Sequence, residues 1–213
     1  MPQRRVWDQG WWAGARWRPS PNFGPRPPGC DIGLVVLHSI SLPPGHFRGD
    51  AVQRLFTNQL DINAHASFAS LRGLRVSAHF LVRRSGRCLQ FVSCDLRAWH
   101  AGVSSWRGRD NCNDCSIGIE LEGLEGQQFE AAQYLAVARL LRLLRQRYPI
   151  QEVVGHEHVA PGRKSDPGPG FDWLRLGALM GRRSPRPSPL LLTHEEGTKN
   201  ARGTHEALNQ RYP

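Results

Sequence analysis

The sequence predicts a single α/β domain in which a central mixed β-sheet is flanked by α-helices. Three observations support this fold class. The chain has 213 residues, 39% of them hydrophobic, which suits one core and one domain. Short apolar segments with strand character alternate along the chain with helical segments. The longest helical pattern, Gln127–Tyr148, is amphipathic and can cover one face of a sheet.

The first half of the chain contains three predicted strands and one helix. Ile32–His38 is a β-branched, almost wholly apolar run of the kind that is buried on both faces of a sheet, and His38 stands at its end. A helix is predicted over Asp50–Leu60. Val76–Val82 and Arg87–Ser93 follow as strands, and the short connection between them contains a glycine and suits an antiparallel hairpin.

The segment Ser116–Glu122 alternates strictly between apolar and other residues. Ile117, Ile119 and Leu121 share one face of the predicted strand, and Glu120 lies on the opposite face. Two interpretations of Glu120 remain open from the pattern alone. It is either a site residue held by a rigid strand or an ordinary solvated glutamate on an edge strand.

The second half is predicted to end the fold with a helix and a strand. In Gln127–Tyr148 the apolar residues form one stripe, and the helix stops before Pro149. A short last strand, Gln151–Gly155, leads directly into His156. We predict a catalytic domain over residues 18–180, an N-terminal extension over 1–17, and a disordered basic tail over 181–213, which contains four prolines and little periodicity.

The net charge of +10 raises the possibility of a nucleic-acid partner. Its distribution argues against one. Residues 1–18 carry four Arg against one Asp, and residues 181–213 carry six basic against three acidic residues, so the middle of the chain is only mildly basic. A nucleic-acid binder needs a basic face with interleaved aromatic residues, not charged ends. We predict no nucleic-acid partner.

Composition also predicts the compartment. No apolar run approaches the roughly 18 residues that cross a bilayer, and the first twelve residues lack the apolar core of a secretory signal. The five cysteines are an odd number, which favours reduced thiols. We therefore expect a cytoplasmic protein without a membrane partner, and a monomer. The single pair Cys112 and Cys115 is weak evidence for structural zinc, and two ordinary thiols are expected.

The densest group of ionisable side chains follows the last predicted strand, over residues 156–168. A helical metalloprotease motif is excluded, because it requires a second histidine four residues after His156, where the chain has Ala160. A catalytic zinc ion needs three protein ligands and one open position, and His156 and Asp166 can supply two. Spacing alone is a weak signal, and it leaves open the alternative of a strand-capping histidine and a turn aspartate.

Five segments of this chain together resemble a known family. GHEHVAPGRKSDPGPGFDW, at residues 155–173, resembles the C-terminal motif of the N-acetylmuramoyl-L-alanine amidases of the AmpD type, which share a fold with phage lysozyme-type amidases and peptidoglycan-recognition proteins. VVLHSISLPPG, LRVSAHFLV, RAWHAGVSSWRGRDNCND and SIGIELEG precede it in the order that the family shows. The resemblance spans about residues 18–180, and together these motifs are highly specific.

The resemblance implies a zinc amidase and the roles of five residues. It makes His38, His156 and Asp166 the zinc ligands, and Glu120 and Lys164 the catalytic side chains. Zinc lowers the pKa of bound water to about 7, and a nearby carboxylate can carry the proton of that water to the leaving amine. A compact ammonium at Lys164 suits the oxyanion of a tetrahedral intermediate.

Composition adds weight to Lys164 and leaves two histidines open. Lys164 is one of only two lysines in a chain that otherwise uses arginine, so a forked guanidinium is not expected to serve there. His79 and His100 lie inside the family motifs. Each is equally well explained as a buried, hydrogen-bonded histidine or as a site residue, and neither is assigned a catalytic role.

The substrate that the resemblance implies is a 1,6-anhydromuramyl peptide released during peptidoglycan recycling. Its peptide carries free carboxylates, and Arg75 and Arg109 match basic positions of the family that can bind carboxylates with two hydrogen bonds each. Either could instead be a surface arginine. Ser39 departs from the asparagine usual in the family, which puts a substrate contact in doubt.

The predicted function is hydrolysis of the lactyl–L-alanine amide bond with Zn²⁺ as cofactor. Two alternatives differ in kind. One is a peptidoglycan-binding module of the same fold without catalysis, although all five site positions are filled here. The other keeps the fold and zinc but acts on polymeric cell wall. Activity on soluble fragments compared with activity on intact wall separates this second alternative from the predicted function.

Overall fold

The structure is a computed structural model that describes residues 6–181. The tail predicted over 181–213 lies, apart from its first residue, outside the described residues. The strands are β1 (Trp7–Asp8), β2 (Trp11–Trp12), β3 (Arg16–Trp17), β4 (Phe23–Gly24), β5 (Leu34–Ile40), β6 (Phe80–Val82), β7 (Cys88–Gln90), β8 (Arg97–Ala98), β9 (Ser105–Trp106), β10 (Arg109–Asp110), β11 (Ser116–Glu122) and β12 (Glu152–Gly155). The α-helices are α1 (Ala51–Phe56), α2 (Ala131–Arg147), α3 (His156–Val159) and α4 (Trp173–Leu179), and two 3₁₀-helices cover Ile62–Ala64 and Ala66–Leu71.

Six of the strands form one mixed sheet in the order β12-β5-β11-β6-β7-β3. Strands β12, β5, β11 and β6 are parallel to one another, β7 runs antiparallel to β6, and β3 is parallel to β7. The predicted hairpin of β6 and β7 is confirmed. Because three neighbouring parallel strands, β12, β5 and β11, end at the same edge, their carboxyl ends can gather side chains at one place.

The main core lies between one face of this sheet and helices α2 and α4. Helix α2 begins with a capping box formed by Glu130 and Gln133, and its buried stripe includes Tyr134, Val137 and Leu141. The apolar faces of the central strands pack toward this helix. The core residues from β5 and β11 are Val35, Leu37, Ile117, Ile119 and Leu121. The single α/β domain with a central mixed sheet is therefore confirmed.

The opposite face of the sheet is covered by α1 and by the segments between β8 and β11. Helix α1 contributes Val52, Leu55 and Phe56 to a second apolar cluster with Leu81 and Phe91. A smaller cluster joins Leu34 and Val36 of β5 to Ala101, Cys112 and Val159. Since both faces are covered, every residue of β11 is buried, including Glu120. The interpretation of Glu120 as a solvated residue on an edge strand is wrong.

The predicted elements are present, but one is shifted and several are shorter than the patterns indicated. The first strand runs Leu34–Ile40 instead of ending at His38, and the helix predicted over Asp50–Leu60 ends at Phe56. The long helix starts four residues later than predicted, because Glu130 caps it. In the predicted strand Val76–Val82, regular strand begins only at Phe80.

The segment before residue 18 packs against the sheet. Strand β3 pairs with β7, with Arg16 opposite Leu89, and Trp12 is buried in the main core. The backbone N–H of Trp12 donates to the side chain of Gln90. The domain limits predicted from the sequence stay a prediction. Among residues 6–181, no helix combines the length and apolar character needed to span a bilayer.

Candidate active site

Three site residues predicted from the sequence are aligned by strand register. His38 of β5 and Glu120 of β11 are direct partners across two parallel strands. Gly155, the last residue of β12, pairs with Leu37, so His156 follows level with His38 on the other side of β5. Residues distant in sequence are thus held side by side at the carboxyl ends of three rigid strands.

Asp166 reaches the same place through the loop that follows the short helix α3. The loop is closed by a backbone hydrogen bond from the Glu157 N–H to the carbonyl of Asp166 and by a bond from the Gly168 N–H to the Glu157 carboxylate. The Gly155 N–H donates to the ring of His158. These contacts account for two of the polar residues after β12, because Glu157 holds the loop that carries Asp166 and His158 caps the start of α3.

The side chains of His38, His156 and Asp166 meet with ligand atoms close together. The two Nδ1 atoms lie 3.0 Å apart, and the Asp166 carboxylate oxygens lie 3.2 Å from Nδ1 of His38 and 3.1 Å from Nδ1 of His156. Three ligands about 2.0–2.1 Å from a tetrahedral zinc ion are about 3.3 Å apart. The donor set of two imidazole nitrogens and one carboxylate oxygen therefore fits zinc in both chemistry and spacing.

The other ring nitrogens of both histidines are occupied. Nε2 of His156 lies 3.0 Å from the backbone carbonyl of Ala101, and Nε2 of His38 lies 3.0 Å from Nδ1 of His100. Arg163 also donates to the Ala101 carbonyl. Both rings thus present Nδ1 to the shared centre. All three ligand atoms lie within 4.8 Å of one another.

The electrostatics of this cluster favour a neutral His38 ring beside an ionised Asp166 carboxylate. Burial, reinforced by the neighbouring His156, lowers the pKa of His38 to about 4. Burial by itself would raise the pKa of Asp166, but the close contacts with His156 and His38 outweigh it and lower that pKa. A neutral imidazole and a carboxylate are the forms that bind a metal ion.

Glu120 has the features of a proton carrier. Burial, together with the nearby negative charge of Asp166, raises its pKa well above the ordinary value, whereas Lys164 acts in the opposite direction. One carboxyl oxygen, Oε2, is buried and has no hydrogen-bond partner in the part of the chain that the structure describes. A buried polar atom without a partner is costly unless it serves a ligand or a reaction. This carboxyl group is therefore available to substrate or water.

The remaining predicted site residues lie at the surface. Lys164 is exposed, two residues before Asp166, and its charge influences both His38 and Glu120. Arg75 and Arg109 are exposed too, and within residues 6–181 neither guanidinium forms a hydrogen bond or ion pair. Arg109 lies on β10, whose partner strand β9 contacts helix α3. The structure brings together the three candidate ligands and Glu120, with Lys164 near them, and within residues 6–181 neither arginine forms a hydrogen bond or ion pair with this cluster.

A sequence profile of the N-acetylmuramoyl-L-alanine amidases matches residues 28–169, a segment that contains all seven predicted site residues. The chain belongs to this amidase family. This amidase is similar to the 1,6-anhydro-N-acetylmuramyl-L-alanine amidase AmpD of Citrobacter freundii, with 51% identity over 175 residues that cover 81% of this chain and 94% of the relative. The AmpD of Escherichia coli is 49% identical over 179 residues, which cover 83% of this chain and 98% of the relative.

Solved structures agree with this assignment. A crystal structure of a selenomethionine derivative of AmpD superposes with a TM-score of 0.80 at 51% identity, covering 82% of this amidase and 99% of that chain. Escherichia coli AmiD in complex with anhydro-N-acetylmuramic acid-L-Ala-D-gamma-Glu-L-Lys superposes with a TM-score of 0.52 at 35% identity, covering 71% of this amidase and 58% of that chain. The fold expected from the resemblance is confirmed.

Sequence reasoning left one contact of this amidase undetected. His100 was one of two histidines without an assigned role, and its ring touches the candidate ligand His38. No spacing rule links positions 38 and 100, so the sequence carried no signal for this contact beyond the family motif around His100. The five cysteines are free, as expected.

Proposed function

We propose that this amidase hydrolyses the amide bond between the lactyl group of 1,6-anhydro-N-acetylmuramic acid and L-alanine in fragments recycled from peptidoglycan. The proposed zinc ligands are His38, His156 and Asp166. The observation that carries the proposal is the approach of their ligand atoms to 3.0–3.2 Å of one another. Two relatives with 51% and 49% identity, both 1,6-anhydro-N-acetylmuramyl-L-alanine amidases, support the substrate class.

Zinc, when bound, lowers the pKa of water and polarises the scissile carbonyl. The residues of the chain handle the proton. We assign Glu120 as the group that accepts a proton from the attacking water and returns it to the departing L-alanine nitrogen. Its pKa, raised by burial and by the nearby charge of Asp166, suits this role, because a carboxyl group with a raised pKa holds a proton more readily and can pass it on. Lys164 is proposed to stabilise negative charge that develops on the carbonyl oxygen.

Arg75 and Arg109 are proposed to bind the carboxylates of the substrate peptide. Both guanidinium groups are exposed and have no carboxylate partner within the described part of the chain, so they are available to an anionic ligand. A guanidinium can form two parallel hydrogen bonds with one carboxylate. A muropeptide ligand is present in the solved complex of the related AmiD, which supports a peptide-binding role here.

We propose the cytoplasm as the site of action and a monomer as the active form. The five free thiols support a reducing compartment. All proposed ligands and catalytic groups come from one chain, so the site needs no second copy. Activity on soluble fragments compared with intact cell wall distinguishes a recycling amidase from one that acts on the polymer.

The test combines metal analysis with turnover of an anhydromuramyl tripeptide by the purified full chain. We expect Asp166→Ala to lose zinc and activity, because it removes one of three ligands. We expect Glu120→Ala to retain zinc and to lose about 10²–10⁴-fold in kcat, the usual contribution of a positioned acid–base group. Glu125→Ala is the matched control, since Glu125 is exposed. Full turnover by Asp166→Ala without zinc contradicts the proposal.

A further inference from the structure

A chain of side chains extends from His38 away from the candidate zinc position. His38 Nε2 lies 3.0 Å from His100 Nδ1, and His100 Nε2 lies 3.1 Å from Ser116 Oγ. Ser116 Oγ in turn lies 2.5 Å from the backbone carbonyl of Cys112. All three side chains are buried, so these polar atoms depend on one another for their hydrogen bonds.

The carbonyl at the end of this chain fixes the direction of every bond in it. A carbonyl oxygen only accepts, so the Ser116 hydroxyl donates to Cys112. Ser116 Oγ then accepts a proton from His100 Nε2–H, which leaves His100 Nδ1 without a proton. That nitrogen accepts from His38 Nε2–H. The consequence is a His38 ring that carries its proton on Nε2 and presents a bare Nδ1 to Asp166 and His156.

We propose that His100 and Ser116 are positioning residues that hold His38 in the tautomer and orientation required for metal binding. This inference deepens the proposed function and depends on it for the identity of the metal. Histidines that ligate metals usually donate their other N–H to a carboxylate, a backbone carbonyl or water, which fixes the tautomer and the ring. In this amidase the ring of His100 takes that place, and Ser116 connects it to the backbone carbonyl of Cys112.

The two candidate ligand histidines differ in how they are held. His156 donates directly to the carbonyl of Ala101. His38 lies on the central sheet, and His100 and Ser116 connect it to the carbonyl of Cys112. The bond of His156 ends directly on the backbone, whereas the connection of His38 passes through two side chains and can be cut at either residue.

The position of the His100 ring is fixed on two sides. The backbone N–H groups of His100 and Ala101 both donate to Oδ1 of Asn113, at 3.0 and 2.8 Å. The ring also lies against Gly118 of β11, where an added Cβ would be only 2.4 Å from Cγ of His100. The glycine in the middle of this strand leaves room for the ring. Because the His100 ring is held closely, it can fix the orientation of the His38 ring beside it.

Zinc affinity of the full chain, measured by competition with a chelator, tests the proposal. We expect His100→Leu, which removes the acceptor for His38, to weaken zinc binding about 10–100-fold, the range typical of lost outer contacts of metal ligands. His100→Asn keeps an acceptor oxygen near the place of Nδ1 and should restore most of the affinity. Ser116→Ala leaves His100 in place but frees its tautomer, so we expect an intermediate loss.

A matched control separates positioning from general stability. His79 is also buried and packs edge-on against the His100 ring, with centroids 5.8 Å apart, but its hydrogen bonds go to the backbone of Gly118 and Leu96 and not to a candidate ligand. We expect His79→Leu to lower the free energy of unfolding and leave zinc affinity unchanged. Equal losses of affinity in His79→Leu and His100→Leu would overturn the proposal. If His100→Leu does not fold, the zinc affinity of Ser116→Ala tests the proposal in its place.

The tautomer of His38 gives a readout that does not require zinc. Nitrogen NMR of the imidazoles in chelator-treated wild type should show His38 protonated at Nε2 alone, and Ser116→Ala should show a mixture of tautomers. Unchanged zinc affinity and an unchanged His38 tautomer in Ser116→Ala exclude the proposal. Absence of zinc binding in the wild type contradicts the proposed function instead, while the tautomer measurement still tests the hydrogen-bond chain.

Discussion

The side chain at position 164 shows how one residue can be tested for charge and for shape. Lys164 is exposed, and its charge acts on both Glu120 and His38. It has no role as a metal ligand in the proposed site. An ammonium is a compact point charge, whereas a guanidinium is a wide planar fork. If Lys164 stabilises charge on the scissile carbonyl, both the charge and its location matter.

We therefore expect Lys164→Met to lower kcat by about 10²–10³-fold, the loss typical when one group that stabilises an oxyanion is removed. Lys164→Arg should recover only part of it, because the charge is kept but displaced. Zinc content should equal that of the wild type in both variants. Arg72→Met, which removes another exposed positive charge, is the control. Wild-type kcat in Lys164→Met is the result that excludes this role.

At the scale of secondary structure, strand β11 combines core packing on one face with the site on the other. Ile117, Ile119 and Leu121 enter the core against α2. On the other parity, Ser116 contacts His100, and Glu120 is the register partner of His38. A strand buried on both faces holds its residues firmly, which suits a site that needs fixed geometry. Substitutions on this parity are therefore expected to affect the site directly.

Gly118→Ala is expected to lower the free energy of unfolding by about 1–3 kcal/mol, as overpacking of a buried position usually does. The added Cβ would lie 2.4 Å from His100 Cγ, and the ring is held in place by its hydrogen bonds with His38 and Ser116. Gly33→Ala is the matched control, because its nearest neighbour would be the Pro149 carbonyl at 3.9 Å. Urea denaturation of the two variants measures the difference. Equal midpoints would show that the ring moves freely.

At the scale of the whole molecule, local patterns predicted the sheet and the long helix but not the strand order. Alternation places Glu120 on a face of its strand, yet it cannot tell a central strand from an edge strand. That distinction depends on β5 and β6 pairing on both sides of β11. Strand β3 has only two residues and forms through its pairing with β7. Two residues are too few for a periodic pattern to predict a strand.

The residues of the candidate site were predicted more completely than the bounds and order of the strands, because a family resemblance relates positions that are distant in the sequence. His38, His156 and Asp166 were implied by motifs, and the structure brings their ligand atoms together. Residue patterns alone left the turn-and-cap interpretation open. His100 could not be assigned, since its partner is 62 positions away and its role depends on the carbonyl beyond Ser116.

A buried arrangement of cation and neutral imidazole should make the stability of the whole domain sensitive to acid. Arg26 donates to four backbone carbonyls, those of Cys94, Asn113, Asp114 and Ser116. Its guanidinium lies 3.2 Å from Nε2 of His79. Burial, reinforced by the charge of Arg26, lowers the pKa of His79 to about 3. The folded protein therefore keeps this ring neutral.

Between about pH 6.5 and pH 3 the unfolded chain binds a proton at His79 that the folded chain does not, so stability is lost as the pH falls through this window. At pH 5 this one group is expected to cost about 2 kcal/mol relative to pH 7.5. Urea denaturation of chelator-treated protein at both pH values measures the loss without a contribution from metal release. His79→Gln should show a loss smaller by about that amount, whereas His46→Gln, at an exposed position, should match the wild type. An equal loss in His79→Gln and wild type would mean that other groups set the acid sensitivity of this fold.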